Sequence, residues 1–176
     1  MAADAALLDR ASESGGAFLR LYRWDPPTLS VGRNQRIAVT PGIPWVRRPT
    51  GGKAVWHEHE VTYAVAAPIA VFGSLRDAYR QIHERLAAAL RSLGIPTSLA
   101  PYRPTVRPSD GPTSCFAAPV GGEIMVRGRK VVGSAQVRRR DAFLQHGSIL
   151  LDGALLGRPV SFEEVTAAII EKWDEE

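Results

Sequence analysis

The sequence holds one cysteine, Cys115, in Pro112-Thr113-Ser114-Cys115-Phe116, directly after a proline-rich stretch and before another run rich in glycine and proline. A thiol on such a loop is within reach of a substrate. It acts as a nucleophile only where a neighbouring cation or base holds it as thiolate, because an unperturbed thiol titrates near ~8.5. Without that neighbour a lone cysteine is a small apolar filler. Lys130 is the candidate cation. It stands in Arg127-Gly128-Arg129-Lys130-Val131-Val132-Gly133-Ser134-Ala135-Gln136, where a lysine opens a strand and Gly133 and Ser134 are small enough for a ligand to lie against the main chain. Taken alone, Lys130 would be a solvated turn lysine.

A second constellation is Arg47-Arg48-Pro49-Thr50-Gly51-Gly52-Lys53-Ala54-Val55-Trp56-His57. Adjacent glycines let a carboxylate, a phosphate or an acyl chain approach the main chain, and Arg48 can supply charge to an anion. A Gly-Gly pair alone is also simply a turn. His57 and His59 would share one face of a strand by the period-two rule, with Glu58 and Glu60 on the other, and no third metal ligand is evident. His146, in Leu144-Gln145-His146-Gly147-Ser148-Ile149-Leu150, is either an ordinary strand histidine or a polar group lining a pocket. Arg138-Arg139-Arg140 is either a solvated strand end or a docking patch for an acidic partner.

The elements that must position these residues follow from periodicity and turn chemistry. A short helix is expected over 2–11, with Asp4 favouring its dipole, and strands over 17–24, 28–31, 45–48 and 55–66. The clearest helix is 74–93: Ser74 caps it, and Leu75, Ala78, Ile82, Leu86, Leu90 and Leu93 form one apolar stripe. Residues 95–112 have neither periodicity and read as a loop. Strands over 123–126, 131–137 and 143–151 suggest an antiparallel meander, and a final helix over 162–173 is led by Ser161 with Glu163 and Glu164 in its first turn.

With 176 residues, 45% hydrophobic and 23% charged, the chain fits one domain with a substantial core, which excludes disorder as the default. A net charge of +4 favours an acidic partner but is too small to argue for nucleic acid. No stretch approaches the ~18 apolar residues of a membrane span. The N-terminal residues, with Asp4 and Asp9, lack the marks of a secretory or transit peptide, so the expected location is cytoplasmic.

The order of the pieces is more specific than any one of them. The segment from Arg47 and Arg48 through Gly51-Gly52 to His57, then Ser114-Cys115-Phe116, then Lys130 to Gln136, then Gln145-His146-Gly147-Ser148, resembles the lipoate-protein ligase and octanoyltransferase family, and within it the cysteine-dependent octanoyltransferases. The resemblance implies an α/β (α+β) fold, a mixed or antiparallel sheet backed by helices like the catalytic domain of biotin and lipoate protein ligases. It implies that Cys115 takes an octanoyl group from octanoyl-acyl carrier protein as a thioester. A lysine of a lipoyl domain, such as the glycine cleavage H protein, then takes the acyl group as an amide. Lys130 would lower the thiol pKa and polarise the acyl oxygen, while Arg48, Gly51, Gly52, His57, Gly133, Ser134 and His146 would bind substrate. Both carriers are acidic, which gives the arginine run a purpose.

Thioester exchange is nearly balanced and thioester-to-amide transfer is downhill, so this route asks for no ATP, metal or redox cofactor. ATP and magnesium would enter only in an ATP-dependent lipoate-protein ligase; a third alternative is a non-catalytic relative that binds an acyl group or a carrier domain. Lys53, where the ligases carry a third glycine, and the presence of Cys115 favour the transferase. The whole of 1–176 is expected to be a single catalytic domain, short at its C-terminus by comparison with a family in which further helices or an accessory domain are expected.

Overall fold

The computed structural model describes residues 1–36, 38, 40–101 and 121–174. In chain order the elements are α1 (Ala2–Ser14), β1 (Phe18–Tyr22), β2 (Thr28–Val31), β3 (Trp45–Arg47), β4 (Val55–His57), β5 (Glu60–Pro68), α2 (Ile69–Phe72), α3 (Leu75–Ser92), β6 (Thr97–Leu99), β7 (Ile124–Val126), β8 (Arg129–Lys130), β9 (Val132–Arg139), β10 (Ala142–Leu150), α4 (Gly153–Leu156) and α5 (Phe162–Asp174).

The main sheet has the order β1-β5-β10-β9 and is antiparallel throughout. A smaller sheet, β3-β2-β4, is mixed, with β3 parallel and β4 antiparallel to β2. A third, β6-β7-β8, is antiparallel. The expected mixed or antiparallel sheet backed by helices is therefore present.

Both faces of the main sheet are covered. On one, Ala64, Ala66, Ala142 and Leu144 pack with Leu8 and Ala11 of α1. On the other, Val61, Tyr63, Val65, Phe143 and Ile149 pack with Ile82, Leu86 and Leu90 of α3 and with Val165 and Ile169 of α5. That stripe of α3 is the one its three- and four-residue spacing predicts. Ser74 Oγ accepts from the Asp77 amide at its N-terminus. The expected cap of α5 is a full capping box: Ser161 Oγ accepts from the Glu164 amide at 3.0 Å, and Glu164 Oε2 accepts from the Ser161 amide at 2.8 Å.

Four expectations change. The first helix runs to Ser14, stopped by Gly15 in the left-handed region at φ 70. The single strand expected over 55–66 is two strands in different sheets, because the chain bends at Glu58 and His59 and the His57 and Glu60 side chains close across the bend at 2.5 Å. The meander is divided as well: β8 stays with β7 while β9 joins β10. Val131 is the joint, its amide bonded to Ile124 O and its carbonyl to the Leu150 amide, both at 3.0 Å. Within the stretch read as loop, Thr97–Leu99 pairs with Ile124–Val126 as β6; 102–112 lie outside the described residues. Among the described residues, no helix is long and apolar enough to cross a membrane.

Candidate active site

Between the main sheet and the small mixed sheet lies a cleft of about 360 Å³, counting the part open to solvent. Ser30, Val55 and His57 face it from the small sheet, Arg48 from the turn that follows β3, and Gly133 to Ala135 and His146 to Ser148 from β9 and β10. The backbone reason is the register: Ser148 pairs with Thr62 on one side and Gly133 on the other, and His146 with Ala64 and Ala135. The apolar half of that sheet face therefore meets α1, and its polar half lines the cleft.

His57 is held on three sides. Its Nδ1 is 2.5 Å from Glu60 Oε1 and its Nε2 is 2.6 Å from Ser30 Oγ, while its ring stacks on Trp24 with centroids 4.6 Å apart and planes 17° from parallel. Glu60 Oε1 also accepts from Thr62 Oγ1 at 2.6 Å and Ser148 Oγ at 2.7 Å. A buried carboxyl group needs hydrogen bonds of this kind to replace those it gives up to water. His146 is held comparably, with Nε2 2.7 Å from Thr50 Oγ1 and Nδ1 3.0 Å from Asp4 Oδ2. Asp4 also accepts from Tyr22 Oη and Arg20 Nη1. Burial raises the Asp4 pKa, but the bonds from His146, Tyr22 and Arg20 outweigh it and hold the carboxyl below its ordinary value. Tyr22 is pushed far upward by burial and by Asp4.

Arg48 is buried, and its donors are directed at the protein itself: Nε and Nη2 to Gly51 O, Nη2 to Lys53 O, and Nη1 to Ser30. It lines the cleft and shapes the Gly-Gly turn at once. The two glycines differ. Gly52 is left-handed at φ +94, and a Cβ there would stand 2.9 Å from Arg48 Nη2, whereas a Cβ on Gly51 would meet nothing within 4 Å.

Lys130 is not a solvated turn lysine. Its side chain is 2% exposed, its Nζ is 2.7 Å from Glu123 Oε1, and it stands off the cleft lining. Close by, His83 of α3 binds Gly122 O at 2.8 Å through Nδ1 and Ser134 Oγ at 2.8 Å through Nε2, and Ser134 Oγ meets Tyr63 Oη at 2.5 Å.

Of the residues singled out in the sequence, Arg48, His57, Gly133, Ser134 and His146 come together at the cleft, with Gly51 and Gly52 adjoining through Arg48. Cys115 lies outside the described residues. His57 and His59 do not share a face: the bend turns His59 outward, its side chain 87% exposed and 3.8 Å from Glu58. Among the described residues, no three His, Cys, Asp or Glu side chains converge as a metal would require. In the arginine run, Arg139 pairs with Asp9 of α1, and Arg138 Nε donates to Arg140 O. Sequence reasoning missed Ser30, Glu60, Thr62, Tyr63, His83, Glu123 and Ser148. A signal existed for some of them: Glu60 and Thr62, like His146 and Ser148, are polar at period two inside otherwise apolar strands.

Residues 1–175 match the family model described as the lipoyl protein ligase A/B catalytic domain. The chain belongs to this family. This lipoyl ligase A/B catalytic domain is 46% identical over 148 residues to the Octanoyltransferase LipM of Kyrpidia tusciae, a match covering 76% of the chain and 54% of the relative. With the Octanoyltransferase LipM of Carboxydothermus hydrogenoformans it shares 43% identity over 163 residues, covering 86% and 60%. The domain thus spans a little over half the length of these curated relatives. In three dimensions it is similar to the crystal structure of lipoate-protein ligase A bound with ATP, with a TM-score of 0.71 at 23% identity, covering 99% of the domain and 80% of that structure. The ligase-like fold expected from the motifs is thereby shown.

Proposed function

We propose that this domain carries the acyl-transfer site of an octanoyltransferase of lipoate biosynthesis. The observation that carries this reading is its identity of 43–46% with relatives named octanoyltransferase. The cleft supports it. Its polar side chains are bonded to one another, and among the described residues no buried side-chain nitrogen or oxygen lacks a partner. What remains for a ligand is largely main chain at Gly133 and Gly147 and apolar surface, which suits a saturated acyl chain better than a charged one.

In this reading the Cys115 thiolate attacks the carbonyl carbon of octanoyl-acyl carrier protein. The new C–S bond forms as the bond to the carrier's sulfur breaks, and the carrier leaves as a thiolate that takes a proton from water. The amine of a lysine on a lipoyl domain, such as the glycine cleavage H protein, then attacks the same carbon. The C–N bond forms, the nitrogen loses a proton, and the Cys115 thiolate is released. Lys130, as the cation serving the thiol, favours its ionised form and offers a donor to the carbonyl oxygen. Arg48, Gly51, Gly52, His57, Gly133, Ser134 and His146 shape the acyl site.

The test is the intact mass of the protein after incubation with octanoyl-acyl carrier protein and no nucleotide. An octanoyl adduct lost in Cys115→Ala, and chased onto an added lipoyl domain, is the expected result. An adduct that survives Cys115→Ala removes the thiol from the mechanism. Transfer that requires ATP and is indifferent to Cys115→Ala identifies a ligase, and neither adduct nor transfer leaves a binding protein.

A further inference from the structure

On the α3 side of the main sheet, five polar side chains form a run of hydrogen bonds with one consistent direction. Gly122 O can only accept, so His83 Nδ1, 2.8 Å away, carries a proton. Burial, with the charge of Lys130 adding to it, outweighs the Gly122 bond and holds the imidazole at about 4, so the ring is neutral and Nε2 bare. Nε2 therefore receives the proton of Ser134 Oγ at 2.8 Å. With its only proton committed, Ser134 must accept from Tyr63 Oη at 2.5 Å. Tyr63 Oη accepts from Gln145 Nε2 at 3.0 Å, and Gln145 Oε1 accepts from Gln136 Nε2 at 2.9 Å. Gly147 makes room for this row. It sits between Tyr63 and Ser134 in the sheet, and a Cβ there would stand 2.7 Å from Ser134 Oγ and 2.9 Å from the Tyr63 ring.

The run ends on the carbonyl of Gly122, a left-handed residue at φ 87, and the next residue is Glu123, the partner of Lys130. Two backbone bonds to Ala100, from Gly122 N to Ala100 O at 2.8 Å and from Ala100 N to Glu123 O at 2.7 Å, hold one side of this turn. His83 is the side-chain contact that ties it to α3.

We propose that His83 is a positioning residue for Lys130: by holding Gly122 O it sets where Glu123 places its carboxylate, and so where the lysine ammonium is held. Its bearing on catalysis rests on the reading of Lys130 as the cation that serves the thiol. A neutral imidazole suits the task, since it adds no second positive charge beside the lysine. It is a poor proton acceptor for the same reason, so its role is geometric.

Three variants separate the two bonds of the ring. His83→Asn places an amide nitrogen where Nδ1 stood and can still donate to Gly122 O; His83→Gln places an amide oxygen where Nε2 stood and can still accept from Ser134; His83→Ala does neither. Two readouts are taken on the whole chain. The first is the Lys130 ammonium resonance in a proton–nitrogen spectrum. It is expected to shift in His83→Ala and His83→Gln and to return toward the parent position in His83→Asn. The second is the pH dependence of iodoacetamide alkylation of the single cysteine, whose midpoint should move up by about one pH unit in the same two variants and in Lys130→Met, a typical size for losing a well-placed charge. A loss of packing alone would rank Gln, which fills more of the imidazole's volume, above Asn, the reverse of the expected order. An unmoved Lys130 resonance in His83→Ala, or rescue by Gln and not by Asn, overturns the proposal. A resonance that moves as expected while Lys130→Met leaves the alkylation midpoint unchanged upholds the positioning of Lys130 and refutes its service to the thiol.

Discussion

His146 Nε2 and Thr50 Oγ1 meet at 2.7 Å across 96 residues of sequence, and their contact fastens the turn leading into Gly51-Gly52 to the central strand pair of the main sheet. The other ring nitrogen faces Asp4 of α1 at 3.0 Å. One imidazole thus joins a helix, a sheet and a turn, and the cleft wall depends on its partners at both ends.

Asp4 is the partner with the larger predicted effect. Its side chain is fully buried, and its pKa is held below the ordinary value. A depressed carboxyl pKa contributes stability above the unfolded-state value that is lost as pH falls through the folded-state value. Asp4→Asn should therefore cost about 3–5 kcal/mol at neutral pH, the usual consequence of breaking a buried pair. The gap from the parent should narrow as pH drops below the ordinary carboxylate range. Urea unfolding of both proteins at pH 7 and near pH 3 checks it.

The glycines should divide sharply. A Cβ at Gly147 would lie 2.3 Å from Gly133 O, a main-chain atom that cannot swing aside, whereas Gly51 has open space around it. Gly147→Ala is expected to lose about 1–3 kcal/mol or more through overpacking against Gly133 O, Ser134 and Tyr63, while Gly51→Ala stays within ~0.5 kcal/mol. Thermal melts of the two variants decide it.

Lys130 and Glu123, each 2% exposed, should behave as a coupled pair. Lys130→Met and Glu123→Leu alone each remove one member of a buried ion pair and are expected to cost about 3–5 kcal/mol. The double variant should cost less than their sum by more than ~1 kcal/mol. A double-mutant cycle from denaturant midpoints reads the difference, and strict additivity would contradict the pairing.

Arg48→Lys removes a planar fork that bridges Gly51 O, Lys53 O and Ser30. An ammonium cannot span these acceptors. The variant should lose about 2 kcal/mol in stability, from acceptors left short of donors in a buried place, and should bind an octanoyl donor more weakly.

Much of this architecture was legible because it rests on local chemistry. The stripe of α3, the Ser74 and Ser161 caps and the strand at 28–31 follow from spacing and capping alone. The strand breaks at Glu58 and Val131 were not legible, since both are decided by which sheet a strand joins, a tertiary choice that leaves the side-chain pattern continuous. At the cleft, Arg48, His57, Gly133, Ser134 and His146, all picked out by the motif order, stand together. It could not show that Asp4, placed at a helix start where a dipole explains it, turns inward to His146. His83 lies one residue beyond Ile82 on the apolar stripe, directly before Glu84 and Arg85, where it reads as the start of the polar face, so only the packing of α3 against the Gly122 turn reveals it.

The stack of Trp24 on His57 also equips the protein with a built-in optical probe. Trp24 Nε1 donates to Thr62 Oγ1 at 2.9 Å, so the indole touches two residues that line the cleft. Trp45 and Trp56 are each 48% exposed and should emit as solvated indoles at longer wavelength. Trp173 is partly buried against the core and would emit with Trp24, so in a Trp173→Phe background a blue-side fluorescence component that vanishes in Trp24→Phe, and changes intensity as an octanoyl donor is titrated in, would report occupancy of the cleft without any added label.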